Sequence, residues 1–163
     1  MKKKIPVGVL GATGAVGQRF IQLLADHPWF EVVEVVASDR SAGRSYREAC
    51  TWRLPTRLPD AVASLTVKGA DAKLDAPIQF SGLDSSVAGE VETRLASLGH
   101  AVISNSRNHR MAADVPLLVR IAAGDGSTGT DRLSYPYEDL ARILQVLRHL
   151  VRAIRARWPR VDI

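Results

Sequence analysis

Gly11-Ala12-Thr13-Gly14-Ala15-Val16-Gly17 follows the apolar run Val7-Gly8-Val9-Leu10 and opens a helical pattern in which Val16, Phe20, Ile21, Leu23 and Leu24 recur at helix spacing. Strand, glycine turn, helix is the setting that a dinucleotide-binding turn requires. Gly11 permits the sharp exit from the strand. Gly14 lets the backbone approach a pyrophosphate with no Cβ in the way, and Gly17 lets the helix lie close to a sheet. The N–H groups at the helix start and the positive end of its dipole then face the phosphates. The glycine spacing alone is a weak signal; the flanking strand and helix give it its meaning.

Working outward, Ile5–Leu10 reads as the first strand, with Pro6 tolerated at its start. A helix is expected from Gly14 to Asp26, halted before Pro28. Glu31–Ser38 contains Val32, Val33, Val35 and Val36, a β-branched run suited to a strand covered on both faces. Residues 39–62, with Gly, Pro and Arg, read as an irregular excursion. Short strands follow at Leu65-Thr66-Val67 and Ile78-Gln79-Phe80, the latter ending in Ser81-Gly82. Ser85 or Ser86 is expected to cap a helix through Leu98 that Gly99 ends, before a last strand at 101–104. Alternating strands and helices predict an α/β fold, a Rossmann-like doubly wound parallel sheet. Gly11, Ser38, Ser81 and Ser104 fall at strand ends, so four tips converge on the edge where such sheets bind ligands.

The chain of 163 residues is long enough for one domain with a proper core. No apolar run approaches a membrane span. Lys2-Lys3-Lys4 resembles the start of a signal peptide, but Pro6 and Gly8 interrupt the apolar run that follows. The one cysteine, Cys50, fits a reducing, cytoplasmic setting and excludes an internal disulfide. Four scattered histidines and one cysteine give no metal-ligand spacing.

The net charge of +5 is uneven: residues 120–163 hold eight arginines, no lysine and five acids. That shift marks a compositional boundary and gives the expected organisation: a nucleotide-binding domain over 1–119, a linker over 120–135 and a basic amphipathic helix over 136–159. The helix carries an apolar stripe through Leu140, Ile143, Leu144, Leu147, Leu150, Val151, Ile154 and Trp158. It suits a membrane surface or a partner's groove, but coverage of bare sheet within its own chain is favoured. With no interleaved aromatic platform, nucleic acid is not an expected partner.

At the second strand's tip, Ser38-Asp39-Arg40-Ser41 combines an acid that would accept from the ribose 2′-OH of NAD with an arginine and hydroxyls that would hold the 2′-phosphate of NADP. NADP is favoured and NAD stays open. Asn105-Ser106-Arg107-Asn108-His109-Arg110 follows the last strand and suits an anionic substrate. Short-chain dehydrogenases need a lysine four residues after a tyrosine. Tyr46, Tyr135 and Tyr137 are followed there by Cys50, Asp139 and Ala141.

GATGAVGQRF at 11–20, ASDRSAG at 37–43 and SNSRNHRM at 104–111 together resemble the cofactor-binding half of the aspartate-semialdehyde dehydrogenase family, over about Ile5 to Leu118. The related reductases of N-acetyl-glutamyl phosphate fit less well, because their glycine turn differs. The resemblance implies NADPH-dependent reduction of aspartyl phosphate through a cysteine thioester. It places Gly11, Thr13, Gly14, Ala15 and Val16 on the pyrophosphate, and Ser38, Arg40 and Ser41 on the 2′-phosphate. Ser81 and Gly82 would line the groove, Asn105 would lie near nicotinamide and substrate, and Arg110 would grip the acyl phosphate. Gly82-Leu83-Asp84 departs from the more usual Ala-Leu-Pro, and Ser106-Arg107 from smaller residues. The family's Asn-Cys-Ser/Thr turn and substrate domain are not found, so no catalytic residue is assigned and no turnover is expected of this chain unless a catalytic domain is supplied. Truncation, fusion or a shifted reading frame would account for the tail. The alternative is a non-catalytic nucleotide-binding or interaction module that uses the basic helix.

Overall fold

The computed structural model describes residues 4–113 and 115. The expected linker and basic helix lie outside them. By contacts the chain divides into two compact units, Met1–Asn108 and His109–Ile163.

The first unit alternates strands and helices: β1 (Ile5–Leu10), α1 (Ala15–Leu24), β2 (Phe30–Val36), α2 (Tyr46–Ala49), α3 (Asp60–Ala63), β3 (Val67–Lys68), β4 (Ile78–Ser81), α4 (Ser85–Ser97) and β5 (Ala101–Ser104). The five strands form one sheet in the order β3-β2-β1-β4-β5. Each neighbouring pair is parallel. The order reverses between β1 and β4, which opens a crevice at their carboxyl ends. The doubly wound reading therefore stands.

β1 is buried because it is central. Val7, Val9 and Leu10 are fully enclosed, and Val35 and Val36 join them from β2. Leu10 and Val36 pack with Leu74, Val91 and Leu95 in one cluster that seats α4. Phe20 of α1 meets Phe80 of β4 at 5.5 Å between ring centroids, and Phe30 meets Phe80 at 6.0 Å, a spacing favourable for aromatic pairs.

Three local readings need correcting. The excursion over 39–62 is not wholly irregular: Ser45 and Glu48 form a reciprocal capping box that starts α2, and Pro59 precedes the single-turn α3. The third strand is Val67–Lys68, shifted toward the carboxyl side of the expected run, because Thr66 instead bridges Ser45 in antiparallel fashion. The cap of α4 is Asp84, whose carboxylate accepts from the Ser86 N–H at 2.9 Å, and Ser85 is already the first helical residue. Gly99 does end α4, at φ +88°.

Of the second unit, a short turn is described, in which the Ala112 N–H donates to the His109 carbonyl at 3.1 Å. No described helix is long and apolar enough to cross a membrane.

Candidate dinucleotide site

The tips of β1, β2 and β4 enclose a cleft of about 420 Å³, lined by Gly11, Thr13, Gly14, Ala15, Val16, Ala37, Ser38, Gly82, Leu83 and Asp84. Its floor is the turn between β1 and α1. Gly11 sits at φ +68°, a left-handed conformation that side chains resist, and an added Cβ would lie 2.7 Å from the Gly82 carbonyl oxygen. At Gly17 an added Cβ would stand 2.2 Å from the Gly11 oxygen, so the absence of a side chain is what lets α1 close onto the turn. Gly14 differs: its φ is −78°, and an added Cβ meets only the Gly11 oxygen, at 3.3 Å. Space, not backbone conformation, is what this glycine leaves.

The polar groups of the turn divide cleanly. Gly11 and Gly14 carbonyls accept from the N–H groups of Gly14 and Gln18, at 3.0 and 2.9 Å. Ala12 and Thr13 carbonyls accept from the Tyr46 hydroxyl at 2.7 Å and the Gln18 Nε2 at 3.0 Å. The N–H of Ala12 is tied to the Val36 carbonyl at 2.9 Å. Those of Thr13, Ala15 and Val16 find no partner among the described residues. No side chain caps α1 at Gly14, and its first residues Ala15 and Val16 line the cleft. The opposite holds for α4, whose amino end is occupied by Asp84.

Asp84 lines the cleft as a carboxylate. The Ser86 backbone N–H, then its hydroxyl, and the charge of Arg107 hold its carboxyl below the usual range despite a small opposing desolvation. It remains charged at neutral pH and repels an anion. Replacing it with Asn keeps the cap and removes the charge. We expect Asp84→Asn to bind an anionic nucleotide about two- to fivefold more tightly in low salt, with the gain fading at high ionic strength; titrations at two salt concentrations read this out.

Of the residues expected in the site, Gly11, Thr13, Gly14, Ala15, Val16, Ser38 and Gly82 line the cleft. Ser81 does not: it is fully buried, and its hydroxyl donates to Glu92 at 2.6 Å. Arg40 and Ser41 lie in the turn after β2, outside the lining, where the Ser41 N–H donates to the Ser38 carbonyl at 2.8 Å. Asp39 faces the tip of β3, with its Oδ1 3.3 Å from where a Cβ on Gly69 would lie. The Asn105 N–H donates to the Ser81 carbonyl at 3.0 Å, joining β5 to β4 just outside the lining. Arg110 belongs to the second unit. Ala37 and Leu83 were not foreseen; their only signal was adjacency to Ser38 and Gly82. Among the described residues no three His, Cys, Asp or Glu side chains come together to hold a metal ion.

Residues 6–123 match the family described as "Semialdehyde dehydrogenase, NAD binding domain". The chain belongs to this family. As a semialdehyde dehydrogenase NAD-binding domain, it is 47% identical over 114 residues to the aspartate-semialdehyde dehydrogenase of Archaeoglobus fulgidus, covering 69% of this chain and 33% of the relative. It is 51% identical over 114 residues to that of Trichophyton rubrum, covering 69% and 32%. The structure of aspartate-semialdehyde dehydrogenase with NADP from Candida albicans superposes with a TM-score of 0.69 at 43% identity, over 72% of this chain and 34% of that one. The semialdehyde dehydrogenase domain thus spans about one third of the length of the curated relatives it matches.

Proposed function

We propose that this chain is the NADP(H)-binding part of an aspartate-semialdehyde dehydrogenase, which reduces aspartyl phosphate to the semialdehyde. The observation that carries the reading is the β1–α1 turn, whose carbonyls are all engaged internally while the Thr13, Ala15 and Val16 N–H groups open on the cleft. That pattern suits the oxygens of a pyrophosphate and offers nothing to a cation. The bound cofactor supplies hydride. Ser38 stands at the ribose end of the cleft, with Arg40 and Ser41 in the adjoining turn to receive a 2′-phosphate. Asp39, directed toward Gly69, leaves that place to the arginine. Asn105 would lie toward the nicotinamide, and Arg110 would bind the acyl phosphate. A cytoplasmic location accords with Cys50 as a free thiol.

Cys50 is not the nucleophile in this reading. It is buried, and its N–H closes the end of α2 on the Tyr46 carbonyl at 3.0 Å. The sulfur that forms a thioester therefore comes from outside the described residues.

Titration of intrinsic NADPH fluorescence tests the proposal. The chain should bind NADPH more tightly than NADH. Arg40→Ala should weaken NADPH about tenfold and leave NADH unchanged, as expected for loss of one charge-assisted contact. Equal loss for both nucleotides would remove Arg40 from the phosphate site, and indifference of the parent chain to both would end the dinucleotide reading.

A further inference from the structure

We propose that Tyr46 and Gln18 turn the glycine loop into a site for a diphosphate, by occupying the two carbonyls that the loop's own backbone leaves over. The inference rests on the dinucleotide reading and adds two positioning residues to it.

Of the carbonyls from Gly11 to Gly14, the first and last accept from backbone N–H groups of the turn itself. Those of Ala12 and Thr13 have no backbone donor. Side chains brought from elsewhere satisfy them. Tyr46 is the first residue of α2, 34 positions along the chain, and it is fully buried. Gln18 is one turn into α1 and 1% exposed. Its Nε2 donates both to Thr13 and to the Thr51 carbonyl (3.1 Å), and its Oε1 accepts from the Arg53 N–H at 2.8 Å. Gln18 therefore joins the loop to the segment after α2, and the whole excursion acts as a brace.

The consequence follows from peptide geometry. The Ala12 carbonyl and the Thr13 N–H belong to one trans peptide plane and point in opposite directions. Anchoring that carbonyl behind the loop, on Tyr46, directs the Thr13 N–H forward. Thr13 lines the cleft. Likewise the anchored Thr13 carbonyl fixes the Gly14 N–H on the Gly11 oxygen and closes the turn. Without its anchor, the Ala12 carbonyl is free to rotate toward the cleft, where its lone pairs would repel a phosphate. The glycines supply room; Tyr46 and Gln18 supply the sign of the field. Burial, reinforced by the Cys50 side chain, pushes the Tyr46 phenol well above its ordinary range, so it stays a donor at every working pH.

The full chain and its Tyr46→Phe and Gln18→Met variants are compared with two probes, NADPH, which carries the pyrophosphate, and 2′-AMP, which lacks it. Each variant should weaken NADPH about tenfold while changing 2′-AMP less than about twofold. Loss of both probes in parallel marks a merely structural role and overturns the proposal, as does retention of NADPH affinity. The amide resonance of Thr13 in the nucleotide-free chain gives a separate readout: Tyr46→Phe should displace it more than those of the surrounding β1 and β2 residues. An unmoved Thr13 amide overturns the brace even where NADPH binds. If the parent binds no NADPH, the dinucleotide reading falls, and the Thr13 resonance alone upholds or overturns the brace.

Discussion

Gly17→Ala should destabilise the chain by about 3 kcal/mol or more and abolish NADPH binding with it. The added methyl carbon would stand 2.2 Å from the Gly11 oxygen, 2.7 Å from the Ala12 Cα and 2.8 Å from the Gly11 carbonyl carbon. All three are backbone atoms, so no rotamer relieves the clash. Either α1 moves off the sheet, opening the Phe20–Phe80 contact, or the turn deforms. Alanine's better helix propensity recovers only about 1 kcal/mol. Chemical denaturation measures the loss. Gly14→Ala is the contrast within the same turn: its methyl meets one atom at 3.3 Å, so stability should change little while NADPH affinity is expected to fall, as the proposed pyrophosphate contact requires. A Gly17→Ala protein as stable as the parent would mean that α1 does not rest on the turn.

Glu34→Ala should cost about 3 kcal/mol, a large share of an ordinary domain's stability. Glu34 lies on β2, is 6% exposed, and accepts from Lys68 Nζ at 2.6 Å and from the N–H groups of Asp75 and Ala76, each at 3.0 Å. The carboxylate thereby pins the segment before β4 to the sheet, 41 and 42 positions along the chain. Removing it leaves two backbone donors unpaired and the Lys68 ammonium with only the Lys73 carbonyl, and that penalty exceeds the modest net value of the bonds themselves. Burial alone would raise its pKa; the bonds from Lys68, Asp75 and Ala76 outweigh burial and lower it from 4.5. The stabilisation is therefore fully present above that ordinary value and is lost as the pH falls through the depressed native one. Denaturation midpoints between pH 7 and 3 should decline for the parent, and Glu34→Ala should show a shallower acid limb. Glu34→Gln, which keeps the shape but not the charge, should fall between the two.

Much of the architecture was legible because it depends on local pattern. The run at Val32–Val36, the helix stop before Pro28 and the left-handed Gly99 each signal an element within a few residues. The glycine turn was legible for the same reason: strand, turn and helix are contiguous. The excursion was not, because α2 and α3 are single turns, α2 held by a capping box and the Ser45–Thr66 bridge and α3 following Pro59, and no periodicity extends over so few residues. Ser81 was misplaced for a related reason. Its position at a strand tip suggested the groove, yet Glu92, 11 residues on, draws the hydroxyl inward together with that of Ser104 at 2.6 Å.

The sequence by itself determined the strand–helix alternation, the family and which turn lines the cleft, since spacing and residue type carry all three. Only the tertiary structure decided that Asp84, and neither Ser85 nor Ser86, caps α4, that Asp39 turns toward Gly69, and that Tyr46 and Gln18 engage the loop carbonyls. Each of these is a direction taken by a polar group. Direction depends on which partner the fold brings within about 3 Å, and that partner can lie dozens of residues away.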